Sequence, residues 1–346
     1  MTLPESLPLA RGNKYAEDAN AITVGFHLFF SSQNLGSGIG CATCHAPELA
    51  FTDRLSVSKG LGVVTRNSPT IFNAARLRVI FWDGRADSLW SQPLFAFENP
   101  LEIGSSRVAL AHFVADNQAF RTPYEGAFGP LPDMTSWPAT GKPGDAAYDA
   151  LSADVKDQIN RIAANLGKSL EAYMRKDTTS RAPLDLFLIG DSSQMIEAAQ
   201  RGLTVFLKNK CQTCHGGPML TDEKFHNVGF ASLPGAAPDP GRAGGLPILA
   251  NNVFNLAGAY ADPGPGVPGS IPTEPVEEGA FRTPSLRNVT RTPPYGHDGA
   301  LATLPDVLAV HAPGLGAGDK GDLLAFMETL NGEYPLPPWN NWPSPQ

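Results

Sequence analysis

All four cysteines of the chain fall in two short motifs, Cys41-Ala42-Thr43-Cys44-His45 and Cys211-Gln212-Thr213-Cys214-His215. Two thiols separated by two residues can take up the vinyl groups of a haem, and the histidine that follows can ligate its iron, which is the pattern of c-type attachment. Two such irons in one polypeptide point to redox work. A single tetrathiolate zinc site built from both pairs is the first alternative. It leaves both histidines unexplained, and the pairs stand roughly 170 residues apart with no ribbon-like framework around either. Disulfides within each pair are a third reading, although a thiol-redox motif ordinarily occurs once, beside a βαβ pattern.

The segments that must hold these motifs read as mainly helical. Asp18 followed by residues 19–30 predicts a capped helix that delivers aromatic side chains toward the first motif. Residues 157–174 predict a long amphipathic helix, and residues 193–207 predict its counterpart leading into the second motif. The Gly- and Pro-rich stretches 128–143 and 233–275 predict long surface loops, and 335–346 an extended tail whose tryptophans pack on the body.

The chain also echoes itself. Gly25-Phe26-His27-Leu28-Phe29 precedes the first motif and Gly202-Leu203-Thr204-Val205-Phe206 the second, while Phe51-Thr52-Asp53 and Leu220-Thr221-Asp222 follow them. Pro69 precedes Trp82-Asp83-Gly84 by the same 13 positions that separate Pro284 from His297-Asp298-Gly299. The expected architecture is therefore mainly α, with two cytochrome c-like haem domains related by internal duplication and joined by long loops. The expected division is 1–190 and 191–346, with the seam near 180–192.

Composition narrows the partners. A chain of 346 residues can bury two cores, and its formal charge of -8 argues against nucleic acid and mildly for a basic or dipolar protein partner. No apolar run reaches the length of a membrane span. The first residues lack the charged leader and apolar core of an export signal. Covalent haem attachment ordinarily occurs outside the bacterial cytoplasm, so the expected location is periplasmic, with the leader absent from this chain.

Several ordered stretches, among them RNSPTIFNAA, FWDGRADSL, NPLEIG, FHNVG, FRTPSLRNVTRTPPYGHDG and ATLPDVLAVH, resemble the bacterial di-haem cytochrome c peroxidase and MauG superfamily. With both haem motifs included, the resemblance runs along essentially the whole chain. It implies that the haem on Cys41, Cys44 and His45 is the peroxide-reactive centre. Lys59 stands where the family's peroxidases carry a removable distal histidine, and no histidine lies between His45 and His112. A five-coordinate first haem is expected, open to peroxide without prior reduction.

The resemblance implies further roles. Glu102, in NPLEIG, takes the position of the family's acid-base glutamate, with a surface salt bridge as the plain alternative. Trp82 takes the position of the tryptophan that carries charge between the haems, with core packing as its alternative. The second haem, on Cys211, Cys214 and His215, is expected to relay electrons with His311 as second axial ligand, where the peroxidases carry methionine and the MauG type tyrosine. Met219, Met327 and His226 are the other candidates. His297 is expected to hydrogen-bond near the haem interface, and Arg85, Arg282 and Arg287 to neutralise propionates or pack the domains. His27 and His112 have no positional match and read as structural. A calcium ion between the domains is implied, held by Asn67, Thr292 and Pro294 with water. The implied activity is reduction of hydrogen peroxide to water with electrons from a small cytochrome c or copper protein. The alternatives are MauG-like peroxide-dependent oxidation of a protein substrate and a pure electron carrier, and a homodimer is a compatible assembly.

Overall fold

The computed structural model describes residues 1–31, 37–271 and 276–334. Its helices are α1 (Ala19–Phe30), α2 (Cys41–Cys44), α3 (Gln92–Glu98), α4 (Arg107–Asp116), α5 (Gln118–Phe128), α6 (Ala146–Asp149), α7 (Ala153–Met174), α8 (Pro183–Leu188), α9 (Glu197–Lys208), α10 (Arg242–Asn251), α11 (Leu304–His311) and α12 (Ala317–Glu328). One antiparallel ribbon joins β1 (Phe225–His226) to β2 (Phe281–Arg282), with Phe225 opposite Arg282. Among the described residues, no helix is long and apolar enough to cross a membrane.

The Asp18 carboxylate starts α1 by accepting from the backbone of Asn20 and Ala21, both at 2.9 Å, which satisfies two of the donors left open at a helix N-terminus. The helix then buries Val24, Phe26, Leu28 and Phe29 against α7. The two backbones meet at Gly25, where a Cβ would lie 1.9 Å from the Ser169 carbonyl oxygen. Only glycine permits that approach. The crossing of α9 and α12 repeats the device, since a Cβ on Gly202 would lie 1.9 Å from the Asp322 carbonyl oxygen.

Buried apolar residues form two clusters. One runs from Val24 to Met174 and includes Phe254; the other runs from Leu184 to Leu330. Each fully buried Phe or Leu contributes roughly 1.5–3 kcal/mol to holding its cluster. The chain ends cross between clusters: Met1 packs on the second, where its carbonyl accepts from Arg287, while Tyr334 packs on the first.

Two expectations need correction. The helix expected over 193–207 breaks into a 3-10 turn at Ser192–Gln194 and α9, because Met195 and Ile196 adopt extended backbone. That break buries Met195 while leaving Ile196 exposed. The loop expected over 233–275 contains α10 despite its glycines. Tertiary contact overrides composition there: Arg242 donates to the carbonyls of Asp83 and Gly84, and Gly245 lies close against the Asp83 carbonyl. The stretch after Phe128 lacks regular structure until α6. The tail 335–346 and its expected packing lie outside the described residues.

Candidate functional site

At the first motif, the single turn of α2 sets Cys41 and Cys44 three residues apart, and the His45 backbone N–H closes the turn by donating to the Cys41 carbonyl at 2.9 Å. His45 Nδ1 donates to the Phe51 carbonyl at 3.2 Å, which leaves Nε2 as the nitrogen that can bind a metal. Burial lowers the His45 pKa, favouring the neutral, ligating form. Burial likewise pushes the thiols of Cys41 and Cys44 up to about 12 and about 11, so neither is a thiolate. Among the described residues all four cysteines are unpaired, and the only grouping of three metal-capable atoms is Cys214, Asp222 and His226. The tetrathiolate and disulfide alternatives therefore find no support.

The second motif repeats this geometry with one addition. A 3-10 turn holds Cys211–Thr213, the His215 backbone donates to the Cys211 carbonyl at 2.9 Å, and His215 Nδ1 points to the Leu220 carbonyl at 3.4 Å. The ring of His311, the last residue of α11, stands with its centroid 6.4 Å from that of His215 and its plane at 80°. Two nitrogen-to-metal bonds of about 2 Å, with each ring centre about 1.1 Å behind its nitrogen, would require about 6.2 Å. The pair thus fits a single iron between two imidazoles. Burial and the neighbouring His311 pull His215 down to about 4, again favouring the neutral ligand.

Of the other candidates, Met327 and Met219 are buried, the former within the second core. His226 Nε2 hydrogen-bonds Asp222 Oδ2 at 2.9 Å. His297 is buried and stacked on Phe281 at 3.8 Å and 11°, and its carbonyl accepts from Asn67 N. His27 lies against Phe120, and His112 Nε2 donates to the Pro138 carbonyl. Among the described residues none of these contacts sets a histidine ring against His45, although His27 Nδ1 is buried without a hydrogen bond. Lys59 is exposed.

Glu102 is half-buried and close enough to Cys41 and Cys44 for its charge to act on both thiols. Asn99 Nδ2 donates to Glu102 Oε1 at 2.7 Å, and the Leu61 backbone donates to the Glu102 carbonyl at 3.1 Å. The 60–62 turn and the 99–102 turn therefore fix each other beside the first motif. Trp82 is tied at both ends: Nε1 donates to the Asn67 carbonyl at 3.0 Å, and its own carbonyl accepts from Arg282 N at 2.8 Å.

The three arginines differ. Arg282 is buried, and among the described residues its guanidinium donates to the Phe81 and Thr283 carbonyls and forms no ion pair. Burial lowers its pKa, which makes it a fitting partner for an anionic propionate. Arg85 pairs with Asp83 at 3.0 Å and lies 3.6 Å over the Phe81 ring. Arg287 sits in a buried ion pair, the packing side of its expectation: its donors go to Asp185 at 2.6 and 2.8 Å and to the carbonyls of Pro218 and Met1. Arg66, unassigned by sequence reasoning, grips Asp239 at 2.7 and 2.8 Å and also pairs with Asp83. Burial opposes its charge, but the two carboxylates prevail and raise its pKa. Only its place beside Asn67 in RNSPTIFNAA hinted at this. For calcium, Asn67 Nδ2 donates to the Leu55 carbonyl, and no acidic cluster gathers around Asn67, Thr292 or Pro294 among the described residues.

A mostly helical chain with two Cys-x-x-Cys-His turns and one opposed histidine pair defines a haem-protein class. The family model for di-haem cytochrome c peroxidase matches residues 19–193. Cytochrome-c peroxidase IdrP2 of Denitromonas iodatirespirans is 30% identical over 95% of this chain and 85% of its own. Methylamine utilization protein MauG of Methylorubrum extorquens is 28% identical over 95% and 83%. A solved MauG-like protein associated with microbial copper homeostasis has a TM-score of 0.68 and 26% identity, covering 96% of this chain and 95% of that one. The chain belongs to the di-haem cytochrome c peroxidase family and is an oxidoreductase. The family implies haem cofactors.

Proposed function

We propose that the protein reduces hydrogen peroxide to water at a haem bound covalently to Cys41 and Cys44 and ligated by His45, with electrons relayed through a second haem on Cys211, Cys214, His215 and His311. The observation that carries this reading is the asymmetry between the motifs: His215 faces His311, whereas no described contact sets a histidine ring against His45. Haem iron supplies the peroxide-binding and electron-exchanging centre. Glu102 takes the proton from the near peroxide oxygen and returns it to the departing one, so that two electrons and two protons yield two waters. Trp82, fixed between Asn67 and Arg282, carries charge between the centres. Arg282 and Arg85 balance propionate charge.

The paired crossings at Gly25 and Gly202 support two duplicated domains, near 1–190 and 191–346, on either side of the seam around α8. A calcium ion held by Asn67 and the carbonyls of Thr292 and Pro294 joins them, and the setting is periplasmic. The donor is a small cytochrome c or copper protein. The exposed Lys59 at the position of a removable ligand favours a second reading, in which the open first haem acts on a protein substrate as MauG does. Adding one equivalent of hydrogen peroxide to the all-ferric holoprotein tests the reading by stopped-flow spectroscopy. Rapid reaction without prior reduction is expected; a requirement for reducing the second haem first would overturn the open-site assignment. Turnover of a small redox protein, as opposed to a single defined modification of a partner, separates the two readings.

A further inference from the structure

The first half contains a buried carboxyl that peroxide chemistry at Glu102 does not use. Asp177 is fully buried, and among the described residues it has no cationic partner and its Oδ2 no hydrogen bond. A lone buried carboxyl is costly and calls for an explanation. The Tyr334 hydroxyl donates to Asp177 Oδ1 at 3.4 Å, and the Tyr173 hydroxyl faces the same group. Tyr173 is also near enough to Cys41 to feel its charge. Its ring lies 5.2 Å from Phe29, which is 6.0 Å from Phe51, whose carbonyl accepts from His45. Tyr334 lies 5.7 Å from Phe51 and is only half-buried.

The second half supplies an internal control. Gly202 meets Asp322 and Phe326 as Gly25 meets Ser169 and Tyr173, and Phe206 lies 5.2 Å from Phe326 as Phe29 does from Tyr173. Asn288 donates its backbone N–H to the Leu330 carbonyl as Asn73 does to that of Asp177. Tyr173 and Asp177 thus correspond to Phe326 and Leu330. The same frame is built without hydroxyl or carboxyl where no peroxide site is proposed, so packing alone does not require them.

We propose that Tyr173 and Tyr334, joined through Asp177, form a redox-active pair that yields an electron to the first haem after peroxide has oxidised it and brings the oxidising equivalent toward the surface at Tyr334. The inference rests on the reading that the His45 haem meets peroxide. The phenolic O–H bond breaks; the electron goes to the haem and the proton to the Asp177 carboxylate. The other electron needed to reduce peroxide to two waters comes from the di-haem system, and the two protons consumed come from solvent. Burial raises the Asp177 pKa well above the usual range, while the neighbouring hydroxyls of Tyr334 and Tyr173 favour the ionised form; the step runs through that ionised form, which then holds the transferred proton firmly.

The test mixes all-ferric holoprotein with one equivalent of hydrogen peroxide, without donor, and freezes it for high-field EPR while the optical change is recorded. Wild type is expected to give a tyrosyl signal that narrows when the protein carries ring-deuterated tyrosine, a check that needs no variant. The Tyr173→Phe/Tyr334→Phe double variant, with haem content as its folding control, is expected to lose the signal. Asp177→Asn is expected to slow its appearance about a hundredfold, the lower end of what a positioned proton acceptor contributes. A normal optical reaction with no tyrosyl signal, or a signal that persists in the double variant, overturns the pair. No optical reaction at all overturns both the pair and the peroxide site.

Discussion

The two motif-bearing halves are built on one plan and differ where chemistry would differ. Each brings a helix to its motif through a glycine crossing, closes a turn by a His N–H to Cys carbonyl bond, and fixes the following histidine by its Nδ1. Asn73 and Asn288 both occupy the left-handed region, at φ 59 and 60°, and each side-chain oxygen accepts a backbone N–H, from Thr179 and Gly332 respectively. Against this shared frame, the second half adds His311 opposite its histidine. The first half adds Glu102, Tyr173 and Asp177. On the proposed reading, one half keeps its coordination constant and the other moves protons.

The largest expected effect comes from removing the first half's acid. Glu102→Gln keeps the size and the bond to Asn99 but cannot exchange a proton at neutral pH. Peroxide cleavage, followed by stopped flow, should slow by about 10²–10⁴-fold with both haems retained. Unchanged kinetics would remove Glu102 from the reaction and erase one side of the contrast.

A second contrast concerns stability. Glu171 is buried on α7 two residues past the Gly25 crossing, where α12 carries Leu324. Burial pushes its carboxyl up to about 7, against the opposing influence of Asn13, Arg175, Arg11 and Lys168. The native state therefore holds a proton that the unfolded chain releases above its ordinary value of 4.5. Stability from this group is present at low pH and is lost as pH rises from about 4.5 to about 7, by on the order of 3 kcal/mol. Denaturation midpoints at pH 5 and pH 8 should differ more in wild type than in Glu171→Gln. An equal difference in both proteins would show that Glu171 does not carry this dependence.

How much of this was legible in sequence follows from the range of each interaction. The turns at the two Cys-x-x-Cys-His motifs, the Asp18 cap and the helix ending at Met174 depend on residues close in the chain, and such local features are the ones a sequence reading reaches. His311 was picked out by resemblance, from its distance to His297; the short α11, capped by Thr303 and Asp306, sets its ring 6.4 Å from that of His215. Which of the readings of Arg287 holds was not legible, because its partner, Asp185, lies 102 residues away, and nothing local marks a buried ion pair. The grip of Arg66 on Asp239 and the meeting of Tyr334 with Asp177 span 173 and 157 residues. Such contacts arise only when the halves and chain ends assemble. Helix α10 was hidden by a Gly- and Pro-rich composition that its contacts with Asp83 and Gly84 override.

Replacing His311 by methionine addresses the second half directly. Thioether stabilises ferric iron less than imidazole, so the second haem's potential should rise by on the order of 0.1 V, well within the ~0.8 V that axial ligands command. Potentiometric titration with optical detection measures it. A shift confined to the first haem would mean that His311 does not face His215 on the iron.

The smallest effect tests the shared plan itself. Gly25→Ala and Gly202→Ala each force a methyl to within 1.9 Å of a carbonyl oxygen on the partner helix, so the helices must separate or lose packing. Overpacking of this kind costs roughly 1–3 kcal/mol, occasionally more. Because the two crossings match in geometry, the two costs should agree within about 1 kcal/mol when read from chemical denaturation of each holoprotein. A much larger cost at Gly25 would show that α1 and α7 are held more rigidly than α9 and α12. The added Tyr173, Glu171 and Asp177 would then be part of a stiffer frame around the peroxide site, and the two halves would share geometry without sharing mechanics.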